Sequence, residues 1–204
     1  EDTLTLDTEK GPYLALRKTL GGEDALSLLA NICPAVISSL PFPKRMHWGS
    51  GNVNFARPVR WILALLGGTV VPFGFGTVEA MAHTFGHRVY GAGPFALSDA
   101  TQYFEVMARQ CGVVVESSQR RSVIRQTGDA LAAEHGGTVL WKESLLDEVQ
   151  GLCEHPQTIL GSFDPSYLEV PREVLLTSME SHQKSFGIEG NDGKLLPHFL
   201  TVLN

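Results

Sequence analysis

Apolar and polar positions alternate at residues 13–18 (YLALRK), the two-residue period of a strand. Beyond Gly21-Gly22 the period changes. Ala25, Leu28, Leu29, Ile32, Cys33, Val36, Ile37 and Leu40 recur at helical spacing and predict an amphipathic helix whose apolar stripe packs into a core. Pro34 has no amide hydrogen, so it either kinks that helix or opens a second one in its first turn. Residues 61–66 and 69–75 flank Gly67-Gly68, a pair able to take positive φ, and predict a hairpin. A further strand is expected at 82–90.

Asp99 is placed to cap a helix running to 110, with Gly112 as its stop and a short strand at 113–115. Ser117 or Ser118 caps a second helix reaching 135, which Gly136-Gly137 ends before a strand at 138–140. Residues 143–152 read as a helix that Pro156 prevents from continuing, and Pro171 opens another with Val174, Leu175, Ser178 and Met179 on its inner face up to 182. Asn191-Asp192-Gly193 forms a turn between strands at 185–189 and 195–203. Strands and helices mixed without strict βαβ alternation predict an α+β fold, a mixed α/β arrangement with largely antiparallel sheets and helices packed on one side. No linker divides the 204 residues, so one compact domain over 1–204 is expected, with a small subdomain at 1–41 as the alternative.

Composition excludes some classes. No apolar run reaches the roughly 18 residues of a membrane helix, because the longest, 61–75, is broken by Gly67, Gly68, Pro72 and Gly74. Cys33, Cys111 and Cys153 are odd in number, far apart and set in apolar stretches, which argues for a reducing, intracellular compartment rather than a disulfide framework. The opening EDTLTLDTEKGPY lacks the basic head and apolar run of a secretory signal and carries no initiator Met. With the strand-like ending LPHFLTVLN, it suggests a piece of a longer chain.

The formal charge of −6 argues against nucleic acid only globally. Between 42 and 125, nine basic residues face four acidic ones, and no carboxylate occurs between Asp24 and Glu79. Cations in that stretch project an uncompensated field over about 8 Å at physiological salt.

Familiar catalytic signatures are missing. His83 and His87 stand four apart like a zinc pair, but Gly86 and Thr84 disfavour a helix there and no Glu follows the first His. Gly74-Phe75-Gly76 and Gly91-Ala92-Gly93 lack the third glycine of a dinucleotide fingerprint, and no P-loop or nucleophile elbow occurs. The cysteines have no cationic neighbours that would lower a thiol pKa. Dense chemistry is confined to short segments, first FPKRMHW (42–48) and FARPVRW (55–61), where basic side chains adjoin aromatics in a manner suited to phosphate contacts. Trp48 and Trp61 read as core anchors; Lys44 and Arg45 read as functional.

On these residues the chain resembles the beta subunit of bacterial heterotetrameric glycyl-tRNA synthetase. The likeness continues through TFGHRV (84–89), LLDEVQGLCEHP (145–156), GSFDPSYLEVPREVL (161–175), MESHQKSF (179–186) and GKLLPHFLTVLN (193–204). Departures are small: His47 stands where the family usually has Arg, and Cys153-Glu154-His155-Pro156 where an aromatic is common. The resemblance implies a cytoplasmic α2β2 ligase that joins glycine to tRNA(Gly) at the expense of ATP. Its alpha subunit holds the class II core with ATP and Mg, while the beta subunit binds tRNA. This stretch is then the N-terminal half of the beta subunit, in a domain similar to the editing-type domain of the phenylalanyl-tRNA synthetase beta subunit.

Residues 1–204 contain no Gly-rich class II ATP motif ending in Glu-Arg and neither class I signature, so no catalytic residue, metal or cofactor is expected here. The expected role is tRNA binding and assembly, with Lys44, Arg45, Arg57, Arg60, Arg88, Arg120, Arg121 and Arg125 as candidate phosphate contacts. One alternative is hydrolytic editing by His182, Gln183 and Lys184 beside Glu180, although glycine, the smallest amino acid, leaves a second sieve little to reject. Another is an interaction scaffold facing the alpha subunit or the rest of the beta chain. His87 and His182 are themselves expected to be buried, hydrogen-bonded side chains that hold the fold.

Overall fold

The computed structural model of the protein describes residues 2–18, 21–48, 51 and 53–204, so Glu1, Thr19 and Leu20 of the expected subdomain 1–41 lie outside the described residues. The chain divides into two compact units, Glu1–Met81 and Ala82–Asn204.

The first unit opens on a hairpin of β1 (Asp2–Thr8) and β2 (Gly11–Arg17), paired from Asp2↔Arg17 to Thr8↔Gly11. Gly11 takes φ +104, a left-handed conformation in which a side chain would be strained. Helix α1 (Ala25–Ser39) follows, with the Asp24 carboxylate accepting from the Ser27 amide at 3.0 Å as its N-cap. Pro34 lies inside this single helix rather than starting a second one. The predicted burial of the α1 stripe is not found. No α1 side chain is buried, and Leu28, Ile32 and Val36 face outward.

Short strands complete this unit. β3 (Met46–His47) pairs with β4 (Asn54–Phe55). β5 (Ile62–Leu63) leads into β6 (Leu65–Leu66) and β7 (Thr69–Val70), which form the predicted hairpin around Gly67 at φ +58. The hairpin is shorter than its pattern because β5 leaves it for β9 (Val78–Met81), its parallel neighbour, and Pro72 interrupts the return strand before β8 (Gly74–Phe75). Phe55 sits at the centre of an edge-on aromatic cluster, with ring centroids 4.8 Å from Phe42, 6.5 Å from Trp48 and 5.7 Å from buried Phe75.

The second unit holds the main core. β10 (His83–Thr84) pairs with β11 (Phe95–Ala96), and the strand expected across 82–90 stops at Thr84 because the chain turns there. Asp99 caps a single 3₁₀ turn (Ala100–Gln102) that runs into α2 (Tyr103–Arg109), and Gly112 at φ +61 ends the segment. Residues 113–115 form no ladder. Instead the Val113 amide donates to the Met107 carbonyl and the Val114 amide to that of Glu154. α3 (Ser117–Glu134) begins at Glu116 without a side-chain cap, so neither predicted serine serves.

β12 (Gly137–Val139), α4 (Glu143–Leu152), β13 (Gln157–Ser162), α5 (Arg172–Thr177), β14 (Phe186–Gly190) and β15 (Leu195–Leu203) then follow. Their four strands make an antiparallel sheet in the order β12-β14-β15-β13. The sequence pattern predicts no strand at β13. Ile124 and Ala132 of α3 and Leu145, Leu146 and Val149 of α4 close over Phe186, Ile188 and Leu200 of the sheet. Complete burial of such a side chain contributes about 1.5–3 kcal/mol, which makes this helix pair on one sheet face the principal source of stability in the unit. Gly128 lets the Trp141 ring approach α3, since a Cβ there would stand 2.8 Å from two ring carbons.

Candidate nucleic-acid interface

The eight candidate cations separate into two groups once their partners are known. Arg45, although exposed, turns its guanidinium back to the Ser38 carbonyl at 3.2 Å and to that of Leu40, satisfying the carbonyl end of α1. Arg120 donates to three carbonyls, those of Gln150 (2.8 Å), Val114 (2.8 Å) and Val115 (2.7 Å). Arg121 pairs with Asp147 and Glu143, and Arg125 with Glu143 while lying 5.6 Å from the centroid of the Trp141 ring. These four guanidiniums fasten helices to their surroundings. Releasing one to a phosphate breaks bonds already made, so Arg45, Arg120, Arg121 and Arg125 meet a phosphate at a cost that an unpaired cation does not have.

Lys44, Arg57, Arg60 and Arg88 behave differently. All four are exposed, and none makes a hydrogen bond or ion pair among the described residues. Lys44, Arg57 and Arg60 belong to the first unit and to the carboxylate-free stretch, on loops that the short strands leave at the surface. Arg88 belongs to the second unit, at the turn after β10. That turn is held by its neighbour His87, which is buried, donates its amide to the Cys111 carbonyl at 2.7 Å, and accepts the Val89 and Tyr90 amides at Nδ1. The aromatics beside the first three cations are engaged inside the fold: Trp48 and Phe55 in the ring cluster, Trp61 half-buried. The free cations therefore offer point charges and forks for phosphate oxygens rather than stacking platforms.

The trio His182, Gln183 and Lys184 does not converge. The last turn of the helix at 178–182 widens to π geometry, and His182 stands exposed over a shallow cleft formed with Glu173, Val174, Thr177 and Ser178. Lys184 takes φ +52 and directs its ammonium to Glu148 at 3.0 Å, beside the Lys142–Glu180 pair at 2.7 Å. His182 is thus not the buried imidazole expected from its setting. Only His87 has that character.

Two thiols are buried. Burial pushes both Cys111 and Cys153 above the ordinary thiol range, the opposite of what a nucleophile requires. No group of three His, Cys, Asp or Glu among the described residues is arranged to hold a metal ion. No helix among them is long and apolar enough to cross a membrane.

Comparison with known proteins gives this geometry its context. A family model described as "Glycyl-tRNA synthetase beta subunit" matches residues 1–204. The glycine–tRNA ligase beta subunit of Nitratidesulfovibrio vulgaris (strain Miyazaki F) is 58% identical over 203 residues, covering 100% of this chain and 29% of the relative. That of Oleidesulfovibrio alaskensis is 55% identical over 204 residues with the same coverage, and that of Lawsonia intracellularis 43% identical over 199 residues, 98% of this chain and 29% of the relative. The chain thus spans under a third of the length of the curated relatives it matches.

Proposed function

We propose that this chain, which belongs to the glycyl-tRNA synthetase beta subunit family, is a non-catalytic, tRNA-docking part of a cytoplasmic glycine–tRNA ligase and works with a catalytic alpha subunit. One observation carries the reading: Lys44, Arg57 and Arg60 are exposed and unpaired within a stretch free of carboxylates from Asp24 to Glu79. A cation without an internal partner loses no protein bond when it meets a phosphate, and its field is not cancelled by near neighbours in the chain. Arg88 adds a fourth contact from the second unit.

The sequence carries no glycine-rich phosphate-loop motif, and this reading assigns ATP and Mg to the alpha subunit. Activation of glycine is assigned to no residue of this chain.

The test is the salt dependence of tRNA(Gly) binding by the whole enzyme. Each phosphate contact contributes a slope of about 0.7–0.9 in log affinity against log salt. Replacing Lys44, Arg57 and Arg60 together by Ala lowers the slope by about 2–3 and weakens binding most at low salt. An unchanged slope and affinity in the folded triple variant overturns the reading. Misacylated alanyl-tRNA(Gly) incubated with the same enzyme is expected to deacylate at the buffer rate.

A further inference from the structure

Residues 86–91 (GHRVYG) form a turn that is anchored everywhere except at Arg88. A glycine seats each end. A Cβ on Gly86 would stand 2.3 Å from the Cys111 carbonyl oxygen, and one on Gly91 2.2 Å from that of Gln110, so both ends lie directly on the 110–111 backbone. The amides between them are employed. That of His87 donates to the Cys111 carbonyl at 2.7 Å and that of Gly91 to the His87 carbonyl at 2.7 Å, while those of Val89 and Tyr90 donate to His87 Nδ1 at 3.3 and 3.4 Å. Arg88 is the exception: its amide and its guanidinium both lack a partner among the described residues.

The His87 ring is the centre of this arrangement. It is 5% exposed, although Val89 and Tyr90 beside it are 73% and 54% exposed. Accepting at Nδ1 puts the proton of the neutral imidazole on Nε2. The side chain then acts as an Asn does in an Asx turn, where a side-chain oxygen receives the amide two residues on. The ring is itself held. It stacks on Tyr90 with centroids 4.8 Å apart and 30° between planes, and Tyr90 lies 4.5 Å from His155, whose amide donates to Asn204 Oδ1 at 3.0 Å. All of these residues belong to the second unit. A turn fixed in this way has lost its backbone freedom before any ligand arrives, which lowers the ordering cost of a contact made at its tip.

On the tRNA-docking reading given above, we infer that His87 is a positioning residue: by accepting the Val89 and Tyr90 amides, its Nδ1 fixes the turn from which Arg88 meets a tRNA phosphate. His87 itself touches no RNA.

The experiment is a double-mutant cycle on tRNA(Gly) binding by the whole enzyme, read as the slope of log affinity against log salt. In the parent, Arg88→Ala should lower the slope by about 0.7–0.9, the contribution of one phosphate. His87→Phe keeps a ring against Tyr90 but offers no acceptor, whereas His87→Asn loses the ring and keeps an acceptor at the same number of bonds from the backbone. The Phe variant should lose about 0.7–0.9 by itself, and adding Arg88→Ala to it should change nothing further. The Asn variant, measured below its melting temperature, should keep the parent slope and the full Arg88→Ala effect. His87→Gln, whose acceptor stands one bond farther out, is expected to behave as the Phe variant does and serves where the latter fails to fold.

An equal slope loss in the Asn and Phe variants overturns the inference and leaves His87 a structural residue only. So does an Arg88→Ala effect undiminished in the Phe variant. If Arg88→Ala leaves the parent slope unchanged while the Lys44, Arg57 and Arg60 triple variant lowers it, the role of His87 falls and the tRNA reading stands. If neither lowers it, both fall.

Discussion

The Nε of Arg120 donates to the Gln150 carbonyl at 2.8 Å, tying the first turn of α3 to the last turns of α4. Its Nη1 reaches two more carbonyls, so one guanidinium replaces the ladder that residues 113–115 lack. Arg120→Ala is expected to lower stability by about 2–4 kcal/mol, because three carbonyls lose a charged donor at once. Urea melts measure that cost. The tRNA salt slope of the folded variant should match the parent, and a slope reduced by about one would make Arg120 a phosphate contact.

His87 and His182 should respond oppositely to truncation. His87→Ala removes a buried ring that accepts two amides and is expected to cost about 1–3 kcal/mol. His182→Ala, on the surface, should stay within about 0.5 kcal/mol of the parent. Thermal melts of both variants, with glycylation by the reconstituted enzyme, test the pair. A hundredfold loss of glycylation in a normally stable His182→Ala protein would make His182 functional.

Two glycines give a second contrast. A Cβ on Gly86 would stand 2.3 Å from the Cys111 carbonyl oxygen and 2.4 Å from its Cα, so backbone has to move, and Gly86→Ala should destabilise by about 3 kcal/mol or more. Gly151, inside α4, has nothing within 4 Å of that position. Gly151→Ala is expected to stabilise by about 0.5–1 kcal/mol through the lower entropy of the unfolded chain. Equal melting points for the two variants would contradict this packing.

Acid should weaken the cap at Asp99. Its carboxylate accepts the Thr101 hydroxyl at 2.6 Å and the Thr101 amide at 2.9 Å, which hold its pKa below the ordinary 3.8. As pH falls the unfolded chain takes up this proton first. The stabilisation is therefore present above about pH 4 and disappears as pH falls through the lower folded value. Asp99→Asn, which cannot titrate, should lose less stability than the parent between about pH 5 and pH 2. Melts across that range show the difference, and parallel curves would exclude this contribution.

Much of the second unit was legible in the chain. α4 coincides with its predicted residues, and the Gly136 and Asn191-Asp192-Gly193 signals fall at the ends of the elements they punctuate. The failures share a cause. Residues 82–90 and 113–115 have strand-like composition, yet whether a strand forms depends on a neighbour for its amides. His87 finds the Cys111 carbonyl, and Val114 finds that of Glu154. β13 was missed for the complementary reason: QTILGS has little alternation of its own and becomes a strand by pairing with β15 from Gln157↔Leu203 to Ser162↔His198.

Local chemistry in the sequence by itself determined where helices start and stop, where glycines permit turns, which family the motifs resemble and where carboxylates are missing. Those properties depend on side chains within a few residues of one another, or on order along the chain. Only the tertiary structure decided which cations are free. Arg121 finds Asp147 and Glu143 across 26 and 22 residues, Arg120 finds Gln150 across 30, and no local pattern encodes such pairings. Exposure was decided in the same way: the α1 stripe repeats like a core face, but burial requires an opposing surface, and the described residues of the first unit place none over it.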